Sequence, residues 1–167
     1  MIFILRLAHI LAGAFWFGAF IFNARILMPS LRAAGPAANP VLGQLARRIP
    51  MAMMSAAIVT IVAGVWLMNI DSAGAPGAWM QSGMGKTFGA GGGLAILAFL
   101  AGMIINMPAA RRMGAIQDGV AKRGGAPNAD EAAQIARLMG RIGTGTVVVA
   151  VLLGLATAAM AVARYVP

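Results

Sequence analysis

The chain has 167 residues, of which 60% are hydrophobic and 10% charged, with a formal net charge of +9. A water-soluble domain of this length cannot hide so much apolar surface, so composition excludes one and points to the bilayer. There is no cysteine, which excludes disulfides, thiolate metal sites and cysteine nucleophiles.

The first apolar stretch, residues 2–28, is IFILRLAHILAGAFWFGAFIFNARILM. It reads as a retained membrane span, because no small-residue cleavage site follows it. His9, Trp16 and Asn23 recur every seven residues, so an imidazole, an indole and an amide share one side of the helix. Pro29 and Ser30 are expected to end the span. The connection 29–50 contains LRAAGPAANP, a loop punctuated by Gly and Pro. Residues 42–49 suit a short surface helix, and Pro50 suits the first position of a second span, residues 51–70. There Ala56, Thr60 and Gly64 form a small-residue face of the kind that lets helices approach closely in lipid.

Residues 71–85 form a short loop, with Trp79 at a headgroup boundary. The third span is residues 86–107, opened by Lys86 and ended by Pro108. Its GAGGG run at 89–93 lacks the strand and the acid of a dinucleotide site, so it reads as helix packing. The polar stretch 109–142 turns at AKRGGAPNAD, where Asn128 or Asp130 caps a helix reaching Met139. The fourth span is residues 143–163, in which Thr144, Thr146 and Thr157 bond back to their own backbone. The predicted architecture is therefore a single domain over residues 1–167, an all-α integral membrane protein folded as an up-down bundle of four transmembrane helices.

Residues 25–50 carry Arg25, Arg32, Arg47 and Arg48 and no acid, and residues 108–142 carry six basic residues against three acids. Residues 71–85 carry only Asp71. Four spans put both basic loops on one side, and the positive-inside rule makes that side cytoplasmic. The expected location is a bacterial inner membrane, with both termini periplasmic. Membrane lipid accounts for the basic residues, and no nucleic acid partner is expected. The small-residue faces predict a homo-oligomer or membership of a larger membrane complex.

His9 is the one histidine of the sequence, and an ionisable group in an apolar helix calls for a partner. Imidazole ligates haem iron and basic side chains meet propionates. With Arg6 on a neighbouring face and Lys86 entering from the same side, His9, Arg6 and Lys86 form a candidate haem site, walled by Trp16. The bland alternative is that His9 is a neutral, hydrogen-bonded core residue.

At these residues the sequence resembles the four-helix membrane protoporphyrinogen oxidases of bacteria and the wider group of proteins with a copper-resistance D-type domain. Leu7, His9 and Ile10 fall on a leucine–histidine–isoleucine run of the oxidases. Trp16-Phe17 and Arg25 match their tryptophan–phenylalanine and following arginine, Arg47-Arg48 their basic pair, and Lys86 their lysine at the head of the third span. The resemblance implies haem b ligated by His9, with Trp16, Arg25 and Lys86 around the cofactor. It implies His9 and Lys86 as the catalytic pair in oxidation of a tetrapyrrole, with quinone as a candidate electron acceptor. Two other functions stay open: a noncatalytic accessory or structural subunit of a respiratory or photosynthetic complex, and a copper or small-solute transport component. Whether the chain is an enzyme is not decided by its residues.

Overall fold

A computed structural model describes residues 1–167, apart from the side chains of Pro36, Asn39 and Pro40. Nearly all of the chain is helical: α1 is Ile2–Ala34, α2 Asn39–Asp71, α3 Gly83–Arg123 and α4 Ala129–Tyr165. All four are long and apolar enough to cross a bilayer, so the chain is a multi-pass membrane protein. Among the described residues there is no strand. The helices form a ring in chain order: α1 packs on α2 and α4, and α3 packs on the same two from the opposite corner.

The helices outrun the predicted spans. At 1.5 Å per residue the 41 residues of α3 extend about 60 Å, roughly twice the hydrocarbon thickness. The excess lies at the basic end and builds a second tier. In the membrane tier Trp16 and Phe20 pack among small residues such as Ala57, Ala98 and Ala156, around Val149 and Leu153. Small side chains suit this tier, because lipid supplies no hydrophobic drive between helices and close van der Waals packing must hold them. The basic tier is an amphipathic assembly, with Leu31, Leu42, Ala109, Met113 and Ile135 buried together. Outside it, Arg47 pairs with Asp118 at 3.1 Å and Arg123 with Glu131 at 2.7 Å.

Three prolines expected at helix boundaries lie inside helices instead. Pro29 and Pro108 each follow a widened π turn, Asn23–Leu27 and Gly102–Asn106. In each, the N–H of the methionine before the proline reaches five residues back, Met28 to Asn23 and Met107 to Gly102. The wide turn makes room for the pyrrolidine ring, which in a regular helix strikes the carbonyl four residues earlier. Pro108 leaves the Ile104 carbonyl without its usual donor, and Arg141 of α4 reaches it at 3.4 Å. Pro50 likewise lies within α2, so the expected surface helix at 42–49 is continuous with the second span. The long polar loop is much shorter than expected. α3 stops at Gly124, whose φ of +67° suits a left-handed cap, and Asn128 opens α4 in a capping box with Glu131.

The small-residue faces are used within the chain. The position that a Gly13 Cβ would take is 3.4 Å from Thr60, and that of Gly64 is 2.8 Å from the His9 ring. Gly91 lies equally tight against Met160 of α4. The Ala56–Thr60–Gly64 face therefore seats α1, and the oligomer expected from it loses that support.

Candidate functional site

His9 sits half-buried in the seam between α1 and α2, the Cε1–Nδ1 edge of its ring close against Gly64. Its Nδ1 is 2.8 Å from the Thr60 carbonyl oxygen. A carbonyl only accepts, so in the neutral ring Nδ1 carries the proton and Nε2 keeps its lone pair. Thr60 returns its own hydroxyl to the Ala56 carbonyl at 2.7 Å. The imidazole is thus a hydrogen-bonded seam residue that retains one nitrogen capable of ligation.

The other expected haem contacts do not gather around it. Arg6 donates to Asp71 at 3.2 Å, at the end of the bundle where the termini lie. Lys86 is exposed near the start of α3, diagonally across the ring from α1. Arg25 is exposed on the π turn of α1. Trp16, only 2% exposed, points into the bundle two turns below His9. His9 lines neither of the two cavities described below. These residues do not fit a haem enclosed by one chain, because the ring's inner side is closed by Gly64 and the intended propionate partners stand apart.

What the bundle does enclose is a cavity of about 100 Å³ where the two tiers meet. Its wall carries three aromatic rings, Trp16, Phe20 and Phe99, and six methionines, Met28, Met53, Met54, Met103, Met107 and Met113. No Asp, Glu, Lys, Arg or His lines it. Asn23, Asn106 and Thr146 supply its polar groups. The Oδ1 atoms of Asn23 and Asn106 are buried with no hydrogen-bond partner. Such groups are rare in folded proteins and are costly where no water replaces the bond. Asn23 is 7% exposed and belongs to α1, whereas Asn106 belongs to α3 on the opposite corner and presses its amide against Gly145. Each asparagine is part of a π turn that precedes a Met-Pro pair. A wide turn re-aims side chains relative to a regular helix, and π turns recur at functional sites for that reason.

A second, wider groove of about 500 Å³ lies at the basic end between α2, the end of α1 and the start of α4. Arg32 lies on its wall and folds over Gly143.

The sequence placed Trp16 and Asn23 on one helix side, and both do face the cavity. Asn106 lines the same cavity from α3, and the spacing within its own helix does not mark it. The signal that finds it is the repeat of Met-Pro at residues 28–29 and 107–108, each with an asparagine in the turn before it.

Fold and site together define a class, a multi-pass helical bundle with an uncharged internal cavity. No family of known proteins, no curated protein and no solved structure matches the chain.

Proposed function

We propose that this chain is a binding protein of a bacterial inner membrane that takes a small, uncharged, largely apolar molecule from the bilayer into its bundle. The basic tier faces the cytoplasm and both termini face the periplasm. The observation that carries the reading is the internal cavity itself, walled by three aromatic rings and six methionines and by no charged side chain. A lining of rings and thioethers adapts to an apolar guest, because methionine is flexible and polarizable. Such a protein serves either alone or as a noncatalytic subunit of a larger complex.

The test uses p-xylene as an apolar probe. It raises the unfolding midpoint of the protein in bicelles, since a ligand of the folded state stabilises it by mass action. Gly102→Leu removes the effect by filling the cavity, because Gly102 lines it and a Cβ there meets nothing within 4 Å. An equal response in both proteins refutes the reading. Orientation is tested by cysteine at Ser30 and Ser82, both exposed and at opposite ends of the bundle. Labelling of Ser30→Cys from the periplasm overturns it.

A second reading rests on the bare Nε2 of His9. We propose that it would hold the iron of a haem b on the lipid-facing side of the α1–α2 seam, as in an oxidoreductase of the protoporphyrinogen oxidase type, where the haem would supply electron transfer. Arg6 serves a propionate only by leaving Asp71, and Lys86 only from a second copy of the chain. Protein purified in mild detergent then shows a Soret band that His9→Ala loses while remaining folded. No band in the folded wild type removes this reading.

A further inference from the structure

We infer that the resident guest of the cavity is an acyl chain of an anionic phospholipid, admitted sideways between α2 and α3, with the phosphate of its head held at Arg48 and Arg111. The inference rests on the cavity reading and adds to it the bilayer's own lipid as first occupant, which a small apolar molecule must displace.

The cavity is closed on two sides and open on a third. Every lining residue from α1 and α4, Trp16 and Thr146 among them, is buried. The partly exposed lining residues all belong to α2 and α3, among them Ile49, Pro50, Met54, Phe99 and Met103, the last by 36%. These two helices pack closely along the basic tier but touch lightly above it. Both rims of the opening are irregular. Pro50 interrupts the hydrogen-bond ladder of α2, and the π turn Gly102–Asn106 widens α3. The opening thus faces lipid, and the apolar group that lies against it in a bilayer is an acyl chain. A dry cavity of about 150 Å³ holds one benzene, so the about 100 Å³ here holds a short length of one chain.

Charge fixes which lipid suits the site. α2 carries no charged residue between Arg48 and Asp71, and α3 none between Lys86 and Arg111. At 1.5 Å per residue these stretches extend about 35 and 38 Å, a little more than the hydrocarbon thickness. Arg48 and Arg111 therefore stand at headgroup level, just beyond the opening. Arg111 is one turn past the lining residue Met107 and two turns before Asp118, which pairs with Arg47 of α2, so it lies on the seam side of α3. Both arginines are exposed, and among the described residues no acid pairs with either. A guanidinium binds phosphate through two parallel N–H bonds. An apolar opening followed by unpaired guanidinium groups repeats, in order, the chain and the phosphate of a lipid in the same leaflet. A soluble anion would use the arginines alone, and a hydrocarbon the opening alone.

The experiment reads Trp16, which lines the cavity and is 2% exposed. The chain has three tryptophans, so Trp66→Phe with Trp79→Phe leaves Trp16 as the one indole. That protein is placed in phosphatidylcholine nanodiscs containing rising fractions of dibrominated phosphatidylglycerol or dibrominated phosphatidylcholine, whose bromines quench indole at short range. The phosphatidylglycerol is expected to reach half-maximal quenching at a fraction lower by about fivefold or more, the scale of one arginine at an anionic surface. Arg48→Gln with Arg111→Gln brings the two lipids together. Gly102→Leu, which fills the cavity, removes most of the quenching by either lipid. If that variant does not fold, p-xylene added to the unfilled protein relieves the quenching instead. Equal quenching by both lipids, or a preference that survives loss of both arginines, overturns the anionic-lipid assignment. Quenching indifferent to Gly102→Leu and to p-xylene shows that no chain enters and overturns it as well. In each case a p-xylene shift of the unfolding midpoint keeps the cavity reading standing, and without that shift both fall.

Discussion

Replacing Gly64 by Ala adds one methyl group to the α1–α2 seam, and the geometry fixes its effect. The new Cβ lies 2.8 Å from His9 Cε1 and 3.1 Å from Nδ1. Ordinary van der Waals contact begins at 3.4 Å, so the ring must retreat by about 0.6 Å (3.4 − 2.8) or the helices must part. Overpacking of this kind costs about 1–3 kcal/mol. Retreat also stretches the 2.8 Å bond from Nδ1 to the Thr60 carbonyl, and interhelical hydrogen bonds in membranes contribute about 0.6 and at most about 1.7 kcal/mol. Against this, alanine is the better helix former by about 1 kcal/mol. The net destabilisation is about 1–3 kcal/mol. Gly92→Ala is the control, because its Cβ meets nothing within 4 Å and it keeps only the propensity gain. Reversible unfolding in mixed micelles, titrated with a denaturing detergent, measures both. The two variants are expected to differ by about 2–4 kcal/mol, and adding His9→Ala to Gly64→Ala should recover part of the loss. If Gly64→Ala behaves like Gly92→Ala, His9 does not occupy the seam and the argument for its tautomer fails with it.

Three further outcomes are expected. Asn23→Leu should raise the stability of the empty protein by about 1 kcal/mol in the same unfolding assay, because it removes a buried amide oxygen that has no partner; a loss of stability would show that the amide is bonded. Arg141→Met should destabilise by about 1 kcal/mol through the uncapped Ile104 carbonyl, and in a Pro108→Ala background, where residue 108 again offers an N–H, the same change should cost markedly less; equal costs would remove the capping role. The Asn128 backbone and then Arg123 hold the Glu131 carboxyl below the ordinary carboxylate range. A depressed carboxylate pKa contributes stability that is present above its unfolded value, about 4.3, and lost as pH falls through the folded value. Amide exchange in the first turn of α4 should therefore quicken only below about pH 4, and Glu131→Gln should abolish that acid step.

The residues themselves determined the class of this protein. Four apolar stretches, each near the length that hydrocarbon demands, leave a membrane bundle as the one arrangement that satisfies every backbone group in lipid. A cap at Asn128 or Asp130 and the shared side of α1 at Trp16 and Asn23 were also legible, because capping and helical periodicity are local, and the structure puts the cap on Asn128. Tertiary structure decided where the helices end and which residues share the interior. Pro29 and Pro108 read as stops, since a proline breaks an isolated helix, and nothing local announces that a widened turn will absorb each ring. In the second case Arg141 of another helix satisfies the freed carbonyl. Ala56, Thr60 and Gly64 read as a helix-packing face, and spacing reveals that a face is small but not which neighbour it meets. His9, Arg6 and Lys86 stood near one membrane surface by sequence, yet depth in the bilayer fixes only one coordinate of three. The order of helices around the ring set α1 and α3 on opposite corners. The same order that separated His9 from Lys86 brought Asn23 and Asn106 to the wall of one cavity.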